Sequence, residues 1–320
     1  MQKFLIIKPS SLGDVIHGLQ VAQSLKDQQP NAHITWVVGD AFAPIVEACE
    51  CIDRVLIFQR KGGFKAFWKL IQTIRQEHYQ YVLDFQGLAR SGLMTFFAKA
   101  SQKIGRYDAR EFARFAYHTR TLPSSHYQAK GNLVYSKIHA IDILLYFLSS
   151  AGLKPELTPP LRFKPLTPPL KLSEPPLLLF PNSRRPEKEW PYFKSLTESL
   201  IHHYPTLPIL WLGQSPLPLP RNAASGSFIN LISQTSLLEA LALIQSARLC
   251  VANDSGPMHM AAALQKPVLA LFGPTLAERY GPYPLNSPRH TVLHAPESKL
   301  SLLTPETVLE SIQTCFKENS

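Results

Sequence analysis

A chain of 320 residues is long enough for two domains of ordinary size, each burying its own core, and its 45% hydrophobic content includes no uncharged run long enough for a bilayer-spanning helix. The formal net charge of +10 points to anionic partners without choosing among nucleic acid, membrane surfaces and small anions, but no zinc-finger, RNP-type or helix-turn-helix signature supports nucleic acid. Cys49, Cys51, Cys250 and Cys315 lack metal-ligand spacing and read as reduced thiols; the apolar run at Phe4 to Ile7 is too short for a signal peptide, so the protein is expected in the cytoplasm.

Lys3 to Lys8 reads as a first strand, Pro9 to Asp14 as a turn, and Val15, Ile16, Leu19, Ala22 and Leu25 recur at helical spacing. The turn of such a βα unit faces a ligand, because ligands bind beyond the carboxyl ends of parallel strands. Ser10 or Ser11 can cap the helix, and Gly13 lets backbone approach a ligand closely. Neither G-x-G-x-x-G nor G-x-x-x-x-G-K-[ST] occurs, so nicotinamide, flavin and nucleoside-triphosphate readings lack their fingerprints. Asp14 is the candidate for acid–base chemistry, although a helix start lowers its pKa and weakens it as a base.

The strand His33 to Val38, a helical stretch from Ala43 to Glu50 and the strand Arg54 to Phe58 follow. Lys61 to Lys65 reads as a basic loop and Ala66 to Glu77 as an amphipathic helix. The strand Tyr81 to Asp84 ends in a turn carrying Gln86 and Arg90. After a strand ending at Ile104-Gly105-Arg106, Arg and His residues interleave with aromatics as far as Arg120, and Asn132 to Ser149 has helical periodicity through Tyr135, Ile138, Ile141, Leu144 and Leu145.

Eight prolines between Lys154 and Pro176 forbid a regular helix and suit a semi-rigid extended connection. The expected organisation is therefore a Rossmann-like domain over 1–154, a Pro-rich linker over 155–176 and a second Rossmann-like domain over 177–320. The strand Leu177 to Phe180 opens that second domain, and its turn carries Ser183, Arg184, Arg185 and Lys188, a set suited to clamping a diphosphate. Pro191 suits the first turn of a helix from Tyr192 to Tyr204. The strand Ile209 to Leu212 leads to Gly213 and Gln214; the strand Phe228 to Ile232 precedes a loop with Thr235, and Ser236 with Glu239 forms a capping box for a helix to Ala247.

Leu249 to Ala252 reads as a buried strand, Asn253-Asp254-Ser255-Gly256 as a polar turn, and a small-residue helix carrying His259 starts at about Pro257. Backbone N–H groups and the Ser255 hydroxyl at that helix start suit a diphosphate, whereas Asp254 suits hydroxyl or N–H donors. The strand Pro267 to Phe272 ends in Gly273-Pro274-Thr275, the strand Thr291 to His294 follows, and a terminal helix from Thr304 is expected at the domain junction.

Several of these segments resemble one family in the family's order. They are Lys8-Pro-Ser-Ser-Leu-Gly-Asp14-Val-Ile-His17, Asp84-Phe-Gln-Gly-Leu-Ala-Arg-Ser91, Ile104-Gly-Arg106 with Asp108 to Glu111, Lys188-Glu-Trp-Pro191, and Asp254-Ser-Gly-Pro-Met-His259 with Gly273-Pro-Thr275. The family is that of the ADP-heptose:lipopolysaccharide heptosyltransferases, glycosyltransferase family 9, and the similarity is greatest to its heptosyltransferase I branch. The resemblance implies an α/β fold of GT-B type, two facing Rossmann-like domains with a cleft between them, and a metal-independent inverting transferase with no cofactor beyond its nucleotide-sugar co-substrate.

It implies Asp14 as general base and Lys188 beside the phosphates. Ser183, Arg184, Gln214, Thr235, Asp254, Ser255, Gly256 and His259 would line the donor, and Ser10, Ser11, Gly13, His17, Gln86, Arg90, Arg106 and Arg110 the acceptor. ADP-L-glycero-D-manno-heptose is the implied donor and an anionic, lipid-linked inner-core saccharide the implied acceptor, with peripheral contact at the cytoplasmic face of the inner membrane and no nucleic-acid partner. Two departures, Asn182 where the family has Gly and Gln214 where it often has an acidic residue, keep other nucleotide sugars open. An epimerase or a non-catalytic sugar-nucleotide binder on the same architecture are the other readings.

Overall fold

The computed structural model describes residues 1–121, 138–224 and 226–318. Two compact units divide the chain between Lys164 and Pro165.

In the first unit the strands are β1 (Lys3–Ile7), β2 (His33–Gly39), β3 (Arg54–Phe58), β4 (His78–Asp84), β5 (Lys99–Gly105) and the short β6 (Thr119–Arg120). They form one parallel sheet in the order β3-β2-β1-β4-β5-β6. Phe4, Leu5, Ile6 and Ile7 are all fully buried, as a parallel strand covered on both faces must be. The helices are α1 (Leu12–Gln28), α2 (Ala43–Ala48), α3 (Gly63–Ile74), α4 (Ala89–Phe97) and α5 (Ala140–Ser150). Leu70, Ile71 and Ile74 of α3 and Met94 of α4 share a core with Leu5, Val37 and Val82 of the sheet. The chain winds outward from β1 to β3, then returns to lay β4 on the other side of β1. The carboxyl ends of β1 and β4 therefore flank the topological switch point, where doubly wound sheets bind ligands.

The second unit repeats the plan with β7 (Leu177–Phe180), β8 (Ile209–Trp211), β9 (Phe228–Asn230), β10 (Leu249–Asn253), β11 (Val268–Phe272) and β12 (His290–His294). These are again all parallel, in the order β12-β11-β10-β7-β8-β9. The helices are α6 (Phe193–His203), α7 (Leu237–Ser246), α8 (Gly256–Ala263), α9 (Ala277–Tyr280) and α10 (Pro305–Glu318). Here the switch point lies between β7 and β10. The architecture is α/β, with two doubly wound units as in a GT-B protein.

Several boundaries differ from the sequence reading. Helix α3 begins at Gly63 and ends at Ile74, so Gly63 to Lys65 of the supposed basic loop are helical, with Gly63 at a φ of +66°. Helix α5 begins at Ala140, where His139 Nδ1 accepts the Ile141 N–H at 3.2 Å; the helical turns expected from Asn132 to Lys137 lie outside the described residues. The Pro-rich segment is not a uniform linker. Up to Lys164 it belongs to the first unit, because Gln23 Nε2 donates to the Pro160 carbonyl at 2.9 Å, Gln23 Oε1 accepts the Arg162 N–H at 2.7 Å, and Phe163 bridges to Cys49. The terminal helix α10 lays Val308, Ile312, Cys315 and Phe316 into the core of the second unit, beside Leu200 of α6 and Leu271 of β11. All four cysteines are free thiols and buried. Among the described residues no helix is long and apolar enough to cross a membrane.

Candidate functional site

Each switch point carries a polar turn on both flanks. In the first unit the turn after β1 begins with Lys8, whose residue is 4% exposed although it carries a charge. Trp36 Nε1 donates to its carbonyl at 3.3 Å and its N–H pairs with Val37, so the backbone that presents the ammonium is fixed. Ser11 is the N-cap of α1 and Asp14 its third helical residue. Asp14 Oδ2 accepts the Ser11 N–H at 3.0 Å and the Ser11 hydroxyl at 2.9 Å, and Lys8 Nζ lies 3.7 Å from the same oxygen. Among the described residues no donor reaches Oδ1, and 45% of the Asp14 side chain is exposed.

Burial lifts the Asp14 carboxyl, but the Lys8 ammonium, the Ser11 N–H, His17 and the Ser11 hydroxyl together hold it well below the usual carboxylate range. Burial likewise pushes Lys8 below its ordinary value; Asp14 and Asp84 oppose that push and Arg106 adds to it. Ser10 is half-buried and Gly13 buried in this turn. His17, one turn along α1, is buried with its ring centroid 5.6 Å from that of His139.

The opposite flank is organised by Asp84, fully buried at the end of β4. Its Oδ1 accepts the N–H groups of Gln86 and Gly87, each at 2.9 Å, and its Oδ2 accepts the Tyr117 hydroxyl at 2.8 Å. Burial raises its pKa against those donors. The Tyr117 ring lies on Gly105, where a Cβ would fall 2.0 Å from it. Gln86 is half-buried and Arg90 exposed, its guanidinium 5.9 Å from the Phe58 ring. Arg106 is held by Asp108 through two bonds of 2.8 Å, while Arg110 is exposed and anchored by its N–H to the Gly87 carbonyl. The acceptor candidates are thus gathered on the turns after β1, β4 and β5, but two are differently occupied from expectation: Arg106 is neutralised by its neighbour, and His17 is packed in the interior.

In the second unit the turn after β7 and the turn after β10 are tied directly. Lys188 Nζ and Asp254 Oδ2 are 2.6 Å apart, with side chains 15% and 6% exposed, and the Thr275 hydroxyl donates to the same oxygen at 2.6 Å. Lys188 is thus not a free cation waiting for phosphate but is held by Asp254. Asn253, fully buried, accepts the Trp190 N–H at 3.0 Å and donates to the Pro181 carbonyl at 2.8 Å, fastening the two turns together. Glu189 accepts the Ser183 N–H at 2.7 Å, and the Ser183 hydroxyl accepts the Arg185 N–H at 3.4 Å, which leaves its own O–H able to donate. Arg185 is paired with Glu187, and Arg184 is exposed.

Asn182 Oδ1 accepts the N–H groups of Gln214 and Ser215 at 3.0 and 3.1 Å. Gln214 is exposed and its carbonyl accepts the Ser233 hydroxyl at 2.7 Å; Thr235 is half-buried on the same loop. Ser255 is the N-cap of α8, Gly256 its first residue, and the buried Ser255 Oγ meets no partner among the described residues. His259 is buried on α8. Among the described residues no group of three or more His, Cys, Asp or Glu side chains is placed to hold a metal ion.

Lys8, Asp84, Asn182, Glu189 and Asn253 escaped assignment from sequence, whereas Thr275 lies in the Gly-Pro-Thr segment that the resemblance places at the donor. The signal for Lys8, Asp84 and Asn253 was present: each is a polar residue closing an apolar strand, where a buried polar group must find partners.

The model of glycosyltransferase family 9 (heptosyltransferase) matches residues 67–302. Lipopolysaccharide heptosyltransferase 1 of Pseudomonas aeruginosa is 27% identical over 291 residues, covering 85% of this chain and 79% of the relative. Its counterpart in Escherichia coli K12 is 26% identical over 331 residues, covering 98% of this chain and 99% of the relative. Among solved structures, E. coli heptosyltransferase WaaC with ADP superposes with a TM-score of 0.77 at 24% identity, covering 100% of both chains.

Proposed function

The chain belongs to glycosyltransferase family 9, and from that premise we propose that it transfers a heptose from ADP-L-glycero-D-manno-heptose to an inner-core lipopolysaccharide acceptor. The transfer inverts the anomeric carbon and uses neither a metal ion nor a cofactor. Two relatives that align with most of the chain are named for lipopolysaccharide heptose transfer, and WaaC was solved with ADP and with ADP-2-deoxy-2-fluoro heptose. The protein works in the cytoplasm, meeting its lipid-linked acceptor at the inner membrane.

The observation that carries the chemical reading is the asymmetry of Asp14, with Oδ2 engaged by Ser11 and Lys8 and Oδ1 met by no donor among the described residues. An acceptor hydroxyl attacks the anomeric carbon while the bond from that carbon to the diphosphate oxygen breaks. Its proton passes to Asp14 Oδ1, and ADP leaves with the bonding electrons. A carboxylate of depressed pKa is a weak base, which suits a late proton transfer, when the hydroxyl has become acidic through bond formation. Charge growing on the leaving diphosphate is met by Lys188, by Arg184, by the Ser255 hydroxyl and by the N–H groups that open α8. Asp254 and Thr275 keep Lys188 in place. Ser183, Gln214, Thr235 and His259 complete the donor side. Ser10, Ser11, Gly13, Gln86, Arg90 and Arg110 form the acceptor side, with Arg106 held by Asp108 and His17 buried behind them.

The test is Asp14→Ala. Transfer to a Kdo-lipid acceptor is abolished while ADP affinity in a titration stays within about twofold, because no donor ligand is assigned to the first unit. Equal loss of both removes Asp14 as the base. Turnover of donor without acceptor identifies an epimerase, and donor binding with no turnover under either condition identifies a binder.

A further inference from the structure

Helix α3 has an apolar inner side and two large aromatic rings, Phe64 and Trp68, on its charged outer side. Its inner side buries Leu70, Ile71 and Ile74, while Phe64, Lys65, Trp68, Lys69, Gln72 and Arg75 are exposed along an outer stripe at helical spacing. That stripe continues across α4: Trp68 and Phe97 lie 5.6 Å apart edge to face, Phe96 and Phe97 5.2 Å apart, and Lys103 lies over Phe96. The 3-10 turn Ala113–Ala116 packs on α4 where Gly92 leaves room for Ala113, and it carries Phe112 and Phe115 outward. Phe64 is 78% exposed, Phe96 59%, Phe112 78% and Phe115 71%. A monomeric surface does not ordinarily gather large apolar side chains in this way without a partner.

The charge of this face is equally one-sided. Segments 57–75, 89–103 and 111–120 contain ten Lys and Arg and one acid, Glu111, whose Oε2 accepts the Ala89 N–H at 3.1 Å at the start of α4. The core of a protein–protein interface is depleted in lysine, which disfavours a second copy. Phe64 lies within 11° of parallel to Trp68 and Phe112 within 15° of parallel to Phe115, so the rings share with one another the faces on which nucleic-acid bases would stack. Exposed aromatics set among ten cations and a single acid match the headgroup region of an anionic bilayer.

We propose that the face formed by α3, α4 and the 3-10 turn at Ala113–Ala116 docks the protein on an anionic lipid surface. Phe64, Trp68, Phe96, Phe112 and Phe115 enter the headgroup boundary, and the surrounding Lys and Arg meet lipid phosphates. The choice of a membrane as occupant rests on the proposed lipid-linked acceptor; the surface itself does not.

The test is co-sedimentation of the full chain with phosphatidylglycerol/phosphatidylcholine vesicles and with pure phosphatidylcholine vesicles. Binding is expected on the anionic vesicles and to fall with salt. Lys65→Gln with Lys69→Gln weakens it about 25-fold, at roughly fivefold for each charge removed, and Phe64→Ser with Phe96→Ser weakens it at least tenfold. Both double variants keep the wild-type melting temperature and the wild-type rate on a water-soluble, delipidated acceptor saccharide. Absent binding, equal binding to neutral vesicles, or unchanged binding by both variants overturns the proposal. So does a single-stranded RNA that displaces the vesicles, or a dimer that the variants dissociate. If no acceptor is glycosylated yet vesicle binding depends on the patch, the reaction assigned above fails and the surface stands; transfer without vesicle binding is the converse.

Discussion

Lys8 and Asp14 share one turn and are shaped by the same burial, to opposite ends. Removing a cation from water favours its neutral form, and the folded pKa of Lys8 is accordingly lowered; the same neighbourhood supplies Asp14 with a positive charge and two donors, and its folded pKa falls below the unfolded value near 3.8. For a depressed carboxyl the associated stability is fully present above that unfolded value and is lost as pH falls through the folded one. Activity through Asp14 is therefore insensitive to pH between about 5 and 7, because the base is already ionised. Lys8→Gln withdraws the strongest lowering influence while the Ser11 donors and His17 remain, so the acid limb of kcat/KM moves upward, towards the ordinary carboxylate range near about pH 4. A pH–rate profile of the variant checks this, with ADP affinity unaltered. A profile superimposable on that of the wild type would show that Lys8 does not set the state of Asp14.

At the scale of elements, the turns after β7 and β8 are joined by one side chain. Asn182 Oδ1 caps the N–H groups of Gln214 and Ser215, and Gly213 makes room for it, since a Cβ there would stand 2.1 Å from that oxygen. Gly213→Ala expels the Asn182 amide and frees two N–H groups, each hydrogen bond being worth about 1 kcal/mol. Urea unfolding of the variant is expected to show a loss of about 2 kcal/mol, with weaker ADP binding; stability unchanged within about 0.5 kcal/mol would remove the linkage. Asn182 was legible in sequence only as a departure from a Gly, because its partners are backbone atoms 32 and 33 residues away. What could be read directly was local. The capping box at Ser236 and Glu239 closes with bonds of 3.2 and 2.7 Å, and β3 and β7 have the bounds their apolar runs foretell. The start of α3 was misplaced because Gly62 and Gly63 read as loop, though glycine at a helix start costs little. The pairing of Lys188 with Asp254 bridges 66 residues and could not be read at all.

Across the whole molecule one topology is used twice, and each copy carries its own polar turns at its own switch point. The assigned donor residues all lie beyond Pro165, in the second unit, whereas the candidate base lies in the first. Binding and chemistry should then separate. Saturation with ADP at about a hundredfold its Kd adds roughly 2.7 kcal/mol to whatever structure it binds, and amide exchange reports where that stabilisation falls. Slowed exchange is expected at 182–190, 213–215 and 254–258, the segments tied by Asn182, Asn253 and the Lys188–Asp254 pair. The turns at 9–14 and 85–91 keep their rates with ADP alone, and Asp14→Ala leaves the pattern unaltered. Protection spread equally over both sets of turns would mean that the nucleotide contacts the first unit as well, and the division of donor from base would have to be abandoned.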